Sequence, residues 1–333
     1  ARDACGSEAG WPTSQPFKGG RPEPRKAADV MNRWESTTLP ALVLSLLLAS
    51  ACIPTLATAQ VRTPVPAVAV GPEYDSAHVY VPAADFDRFV ASAHATFGGT
   101  TTIKGVVTVT PTASSTLNQI VATPYGLFSV FGFESPIPYP FGAERTGYLV
   151  TDMDVAVASA RTTGADIVVS PFPDPIGRDA IVLWPGGVGM QLYWHTTAPH
   201  YAALQTVPEN RVYLSPDAVE AFVASFDRFS GGHLVSDDGQ ASGAEIGLPG
   251  KTFRRVRLES KFGKVTVLVT DGQIPWPYGR EQIGIEVPDL DATLAKATAS
   301  GATVIVQAYK SDGRRAAMVQ FPGGYIVEIH ATV

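Results

Sequence analysis

The chain has 333 residues, 45% of them hydrophobic and 17% charged, which is enough apolar content for a folded core and enough length for two domains. A formal net charge of −6 excludes the basic face that nucleic-acid binding needs, and no long Lys/Arg run contradicts it. No glycine-rich phosphate loop, Cys/His zinc spacing or G-x-S-x-G elbow is present, which removes nucleotide-binding, zinc-finger and serine-hydrolase readings.

Residues 1–30 are rich in Gly, Pro and charge without a hydrophobic period, and are expected to be a disordered or upstream leader. From Met31 the pattern is that of an export signal over 31–59. Arg33 precedes the apolar run ALVLSLLLASACI, and Ala57-Thr58-Ala59 forms an A-x-A cleavage site before Gln60. A membrane anchor is the rival, but Pro40 and Pro54 bound an apolar run shorter than the roughly 20 residues a span needs. A lipidated Cys52 is a third alternative, set back by Ala49 at the head of its box. The expected location is therefore exported, periplasmic or secreted. Both cysteines, Cys5 and Cys52, fall in the part expected to be removed, so the mature chain would rely on its core rather than a disulfide. Residues 60–76, with Pro, Gly and no period, read as a linker.

The remainder is a set of repeats. HVYVPAADFDRFVASAHATFGG, from His78, returns as RVYLSPDAVEAFVASFDRFSGG, from Arg211, as a strand, a helix and a closing Gly-Gly. In the first copy Phe86, Phe89, Val90 and Ala93 recur at helical spacing. A second pair runs without insertion at an offset of 137 residues, IPYPFGAERTG at 137–147 against IPWPYGREQIG at 274–284. The same offset maps Asp152 on Asp289 and Pro185-Gly186-Gly187 on Pro322-Gly323-Gly324. Each of these copies reads as a strand, an Asp-led helix, a β-branched strand and a hairpin turning on Pro-Gly-Gly. The order is thus A (from 78), B (from 145), A′ (from 211) and B′ (from 282), each βαβββ. Four strands and one helix cannot bury both faces of a sheet alone, so the units are expected to pair around a cleft with helices outside. Tyr139 and Trp276, equivalent in the Pro-rich connectors, are expected to plug the packing there.

The run VPDLDATLAKATASGATV followed by FPGGYIVEI resembles the vicinal oxygen chelate superfamily of glyoxalases, extradiol dioxygenases and bleomycin resistance proteins. The resemblance implies an α+β fold of four βαβββ modules paired into two curved mixed sheets. The domains would be 77–197 and 210–333, joined by 198–209. It does not fix the reaction, because this scaffold hosts isomerases, lyases, dioxygenases and metal-free binders.

The catalytic relatives imply a His or Gln at the start of a first strand and a Glu in a last strand. Counting to those places gives His78, Arg145, Arg211 and Gln282 in the first strands, and Gln191 and Glu328 in the last. Val130 and Val267 occupy the corresponding last-strand places of A and A′. If neighbouring units pair, His78, Arg145 and Gln191 share one cavity and Arg211, Gln282 and Glu328 the other. Each would then contain an arginine, which repels a metal ion. If the outer units pair, His78, Gln282 and Glu328 form a metal triad and Arg145, Gln191 and Arg211 a basic pocket for substrate.

A triad of that kind leaves open positions on a divalent ion (Fe, Mn, Zn or Ni) where vicinal oxygens chelate, with Glu328 or Glu286 as general base. The metal-free alternative is a binder of the bleomycin-resistance type, with no cofactor. Both imply a small-molecule ligand, no membrane span, and a monomer built as a pseudo-dimer of repeats or a homodimer. Plainer roles also exist: His78 satisfied by a backbone carbonyl, Glu328 paired with an arginine, and Arg145 and Arg211 paired with acids such as Glu144 and Glu209.

Overall fold

A computed structural model describes residues 65–333. The expected leader and the signal segment at 31–59 lie outside the described residues. The first sheet comprises β1 (Asp75–Tyr80), β2 (Thr100–Thr101), β3 (Gly105–Val107), β4 (Thr116–Thr123), β5 (Gly126–Phe133), β6 (Thr146–Leu149), β7 (Asp166–Pro173), β8 (Gly177–Trp184) and β9 (Val188–His195). The second comprises β10 (Glu209–Leu214), β11 (His233–Ser242), β12 (Thr252–Ser260), β13 (Gly263–Val269), β14 (Ile283–Glu286), β15 (Thr303–Ser311), β16 (Arg314–Gln320) and β17 (Ile326–Thr332). Their helices are α1 (Phe86–Phe97), α2 (Met153–Thr163), α3 (Pro216–Ser230) and α4 (Leu290–Ala299). This is the α+β, four-module architecture expected from the repeats. Unit A departs in one respect: its second strand is broken into β2 and β3 around a highly exposed Ile103, whereas A′ runs β11 without interruption.

Neighbouring modules share a sheet. Strand order is β2-β4-β5-β1-β6-β9-β8-β7 in the first sheet, with β3 also on β4, and β11-β12-β13-β10-β14-β17-β16-β15 in the second. The seams are antiparallel pairs, β1 with β6 and β10 with β14. The outer modules do meet, but through their helices. One core joins Val79, Phe86, Phe89 and Phe128 of A to Leu290, Phe321 and Val327 of B′, and the other joins Met153 and Trp184 of B to Phe222, Phe226 and Phe229 of A′. Period-2 alternation explains the division: Ala77 and Val79 of β1 face the helix core, leaving Ser76 and His78 for the opposite, open face.

Local signals act where the sequence places them. Asp152 and Asp289 cap α2 and α4, accepting the amides of Val155 and Ala292, each at 2.9 Å. The next acid of each helix, Asp154 or Asp291, takes a bidentate pair from Arg178 or Arg315 on the adjacent β8 or β16. Gly186 and Gly187, like Gly323 and Gly324, turn the hairpins at φ between 82° and 91°, a region that a side chain disfavours. Tyr139 and Trp276 do not pack as expected: they are 90% and 66% exposed. Two residues on, Phe141 turns inward instead and meets Phe172 with ring centroids 5.9 Å apart. Among the described residues, no helix is long and apolar enough to cross a membrane.

Candidate binding cleft

The open face of the first sheet holds a cleft of about 140 Å³. Ser76 and His78 come from β1, Asn118 and Ile120 from β4, Ser129 and Phe131 from β5, Asp179 from β8, and Gln191, Tyr193 and His195 from β9. Asp174 and Tyr201 close its rim from the loops. At the seam, Gly147 leaves room: a Cβ there would stand 2.6 Å from His78 Nε2 and 3.0 Å from Ser76 Oγ. The space beside His78 is thus left by a residue without a side chain on β6, between β1 and β9.

His78 is 2% exposed, and its ring meets Phe131 edge-on at 5.2 Å. Its Nδ1 lies 3.7 Å from Glu144 Oε1, beyond hydrogen-bond length, and has no other partner. Glu144, itself buried, accepts the Tyr80 hydroxyl on that same oxygen and leaves Oε2 without a partner. Burial, and then Glu144, push the Tyr80 hydroxyl well above the usual phenol range, so it stays a donor. Burial, Asp174 and Glu144 likewise push the Asp179 carboxyl well above its ordinary value, against a hydrogen bond from Gln191. Burial lowers His195, so its ring favours the neutral form.

The second sheet carries the same strand order, but its open face is crossed by its own charges, with a cavity of about 170 Å³ beside Glu209, Arg257 and Thr266. Arg211, wholly buried, sets Nε 3.3 Å from Glu281 and Nη1 4.0 Å from both Glu209 and Glu328. Arg314 binds Glu209 at 3.0 Å and Glu245 at 3.2 Å, while Arg255 binds Glu245 and Asp312, both at 2.6 Å. Glu328 takes His330 Nδ1 at 2.7 Å. Burial alone would raise the Glu328 carboxyl, but His330 and Arg211 outweigh it and lower it to about 2.

The expected site residues are therefore separated. His78 and Gln191 share the first cleft, while Glu328 and Arg211 lie on the second face. The triad of His78, Gln282 and Glu328 is not brought together, because β1 pairs with β6 and not with β14. Arg145 leaves the cleft altogether and donates to the main-chain carbonyls of Arg211, Glu281 (3.4 Å) and Gln282 (3.2 Å). A basic pocket of Arg145, Gln191 and Arg211 is thus not formed. Gln282 is half-buried with no partner for its amide oxygen. Glu286, opposite His330 in register, accepts the Thr332 hydroxyl at 2.9 Å near the exposed end of the face.

Two of the functional residues were hidden one position from the expected ones. Glu144, not Arg145, approaches His78, and Ser129, not Val130, faces the cleft. The repeat held the signal for the first, because Glu144 matches Glu281 at the same offset of 137 residues and both are acids. Tyr80 similarly matches Tyr213, and each hydroxyl bonds the acid of its own half.

The divalent metal implied by the resemblance can be tested against these donors. On the second face the Arg211 guanidinium stands beside Glu328 and Glu281, a permanent cation where an ion would have to sit. In the first cleft His78 approaches Glu144, whose Oε1 is engaged by Tyr80. No group of three His, Cys, Asp or Glu among the described residues is arranged to hold an ion. The donor sets do not fit a resident divalent metal.

No protein-family model matches the chain, and no curated protein matches it in sequence. Among solved structures, it is similar to a triply substituted 4-hydroxymandelate synthase from Streptomyces coelicolor. That match has a TM-score of 0.51 and 12% identity over 81% of this chain and 93% of the other. A fusion of a xylose isomerase-like TIM barrel with a 4-hydroxyphenylpyruvate dioxygenase matches at TM-score 0.49 and 13% identity, over 81% of this chain and 50% of that one. The fold is the tandem vicinal oxygen chelate fold.

Proposed function

We propose that this protein binds a small, ring-sized organic molecule in the first-sheet cleft, through hydrogen bonds and aromatic walls rather than a resident metal. The observation that carries this reading is the contrast between the two open faces. The second is crossed by its own ion pairs and lines its cavity of about 170 Å³ with charged groups such as Glu209, Arg257 and Lys264. The first keeps a cleft of about 140 Å³ lined mainly by neutral polar and aromatic side chains, without a lysine or arginine. A cavity of about 150 Å³ is enough for a benzene-sized molecule.

Ligand-observed NMR with an aromatic fragment set tests this, comparing the wild type with Gly147→Val. The added side chain fills the space beside His78 Nε2, so fragments that bind the wild type should be lost. Fragments retained by Gly147→Val, or a stoichiometric divalent metal removed by His78→Ala, would overturn the proposal.

A second reading, turnover of the bound molecule, draws support from the His78, Glu144 and Tyr80 arrangement. A histidine next to a buried carboxylate can hold or move a proton at Nδ1, while Tyr80 keeps that carboxylate oriented. Recovery of a chemically altered ligand would favour catalysis over sequestration. Metal-assisted lyase, isomerase or dioxygenase chemistry has no donor set here to support it. Export through residues 31–59 belongs to the same proposal, and a mature chain beginning at Gln60 is its expected mark.

A further inference from the structure

Both sheets keep a cavity at the same strand positions, and the side chains that line it differ. In the first sheet Ser76 lies opposite Leu127 and Ile120 opposite Ser129, and all four line the first cleft. In the second, Glu209 lies opposite Lys264 and Arg257 opposite Thr266, and these four line a cavity of about 170 Å³. Two apolar residues of the first half, Ile120 and Leu127, are thus replaced in the second by Arg257 and Lys264. Cations in place of apolar side chains turn an equivalent hollow into one that attracts an anion.

The acids of this cavity do not cancel both cations. Glu209 is spent on its neighbours: Arg314 donates to Oε1 at 3.0 Å, Thr266 donates to Oε2 at 3.3 Å, and Arg211 stands 4.0 Å away. Burial would raise the Glu209 carboxyl, but Arg314, His330 and Arg211 outweigh it and hold it far below the usual carboxylate range. Glu259 stands directly opposite Lys264 across β12 and β13, so these two offset each other. Arg257 is left over. It takes part in none of the ion pairs that cross this face, and its buried Nε has no hydrogen-bond partner. Burial disfavours its charged form, Glu209 opposes that, and Arg255 and Arg314 add to the burden. An anion brought to Arg257 supplies both the missing acceptor and the missing counter-charge.

We propose that the cavity on the second face binds a small carboxylate, seated on the Arg257 guanidinium with Lys264 beside it. The planar fork of an arginine matches a carboxylate through two parallel hydrogen bonds. Val235, which lines the same cavity and is 48% exposed, offers an apolar surface to the body of the ligand. This site is separate from the first cleft and does not depend on what that cleft binds.

Amide ¹H–¹⁵N spectra recorded during titration with sodium butyrate, butyramide or inorganic phosphate, at constant ionic strength, test the proposal. Butyrate should shift the Arg257 and Thr266 amides saturably and bind at least about tenfold more tightly than butyramide, its neutral counterpart of the same shape. Phosphate, whose second charge meets Glu209 and Glu259, should bind more weakly than butyrate. Arg257→Met, which keeps most of the volume, should weaken butyrate by about tenfold or more. Glu259→Gln, which frees Lys264, should tighten butyrate by about threefold, a gain that misfolding cannot imitate. Gly147→Val, which fills the space beside His78, should leave butyrate binding unchanged. Equal affinity for butyrate and butyramide, full butyrate affinity in Arg257→Met, or no tightening in Glu259→Gln would overturn the proposal. Phosphate binding more tightly than butyrate would overturn the carboxylate assignment. Loss of butyrate in Gly147→Val would overturn the placement on the second face, whereas loss of aromatic fragments alone in that variant leaves it standing.

Discussion

Replacing Arg211 by Met removes the cation at the centre of the second face while keeping most of its volume. Arg211 is wholly buried and adjoins Glu281 at 3.3 Å and Glu209 and Glu328 at 4.0 Å. Glu281 depends on it most. Burial raises the Glu281 carboxyl, and Arg211 is the first of the groups opposing that rise, ahead of the Tyr213 hydrogen bond. Glu328 keeps His330 and Glu209 keeps Arg314, so the damage centres on one uncompensated carboxylate. Breaking a buried pair from one side costs about 3–5 kcal/mol. For a protein of this size that corresponds to a fall in melting temperature of about 6–20 °C, at roughly 2–4 °C per kcal/mol. Urea unfolding at neutral pH measures it, with Glu281→Gln added as the second substitution. The double variant should recover at least about 1 kcal/mol of the loss, since the orphaned charge is then gone. A single variant within about 1 kcal/mol of the wild type would refute the claim that the network depends on this cation. So would a double variant that simply sums two losses.

Asp75 offers a pH test: burial raises its carboxyl from 3.8 to about 8, against a hydrogen bond from Thr146. Between those values the folded chain keeps a proton that the unfolded chain has released, so this group makes stability fall as pH rises through the window. The slope is at most roughly 1.4 kcal/mol per pH unit, and Asp75→Asn should remove it in paired denaturant titrations at about pH 5 and about pH 8. An unchanged slope in the variant would contradict the assignment. Asp152→Ala and Asp289→Ala should each cost about 0.5–2 kcal/mol through loss of a helix cap, read from urea midpoints. Arg178→Ala and Arg315→Ala, which break exposed pairs, should instead stay within about 1 kcal/mol of the wild type in the same assay.

The scaffold was legible because its signals are local and repeated. Asp caps, Pro-Gly-Gly turns and the recurrence at 137 residues identify four modules without any knowledge of contacts. Which modules share a sheet was not legible, because both pairings satisfy the same hydrophobic pattern. The structure uses one for the sheets and the other for the helix cores. The site suffered from a finer limit. Strand alternation has period 2, so a count that slips by one residue exchanges the cleft face for the core face. Such a slip separates Ser129 from Val130, and the entry to β6 likewise presents Glu144 to His78 while Arg145 turns to the second sheet. Tyr139 and Trp276 show the converse, since apolar rings in a connector need a surface to pack on and find none.

The two halves differ in a way that bears on function more than their shared fold does. A buried ion network need not stabilise a protein more than an apolar core of equal volume would, so stability alone gives no reason for so many charges on the second face. What the network does accomplish is geometric. Guanidinium groups on β10, β12 and β16 cross the face that their counterparts on β1, β4 and β8 leave without cations, which gives two equivalent faces linings of opposite character. The acids change along with the arginines. Glu209 and Glu328 stand where the first sheet has Ser76 and Gln191, and Asp179, whose carboxyl burial pushes well above its ordinary value, stands where the second has Ala316. It is therefore a neutral polar lining, rather than the shared fold, that separates the first face from the second.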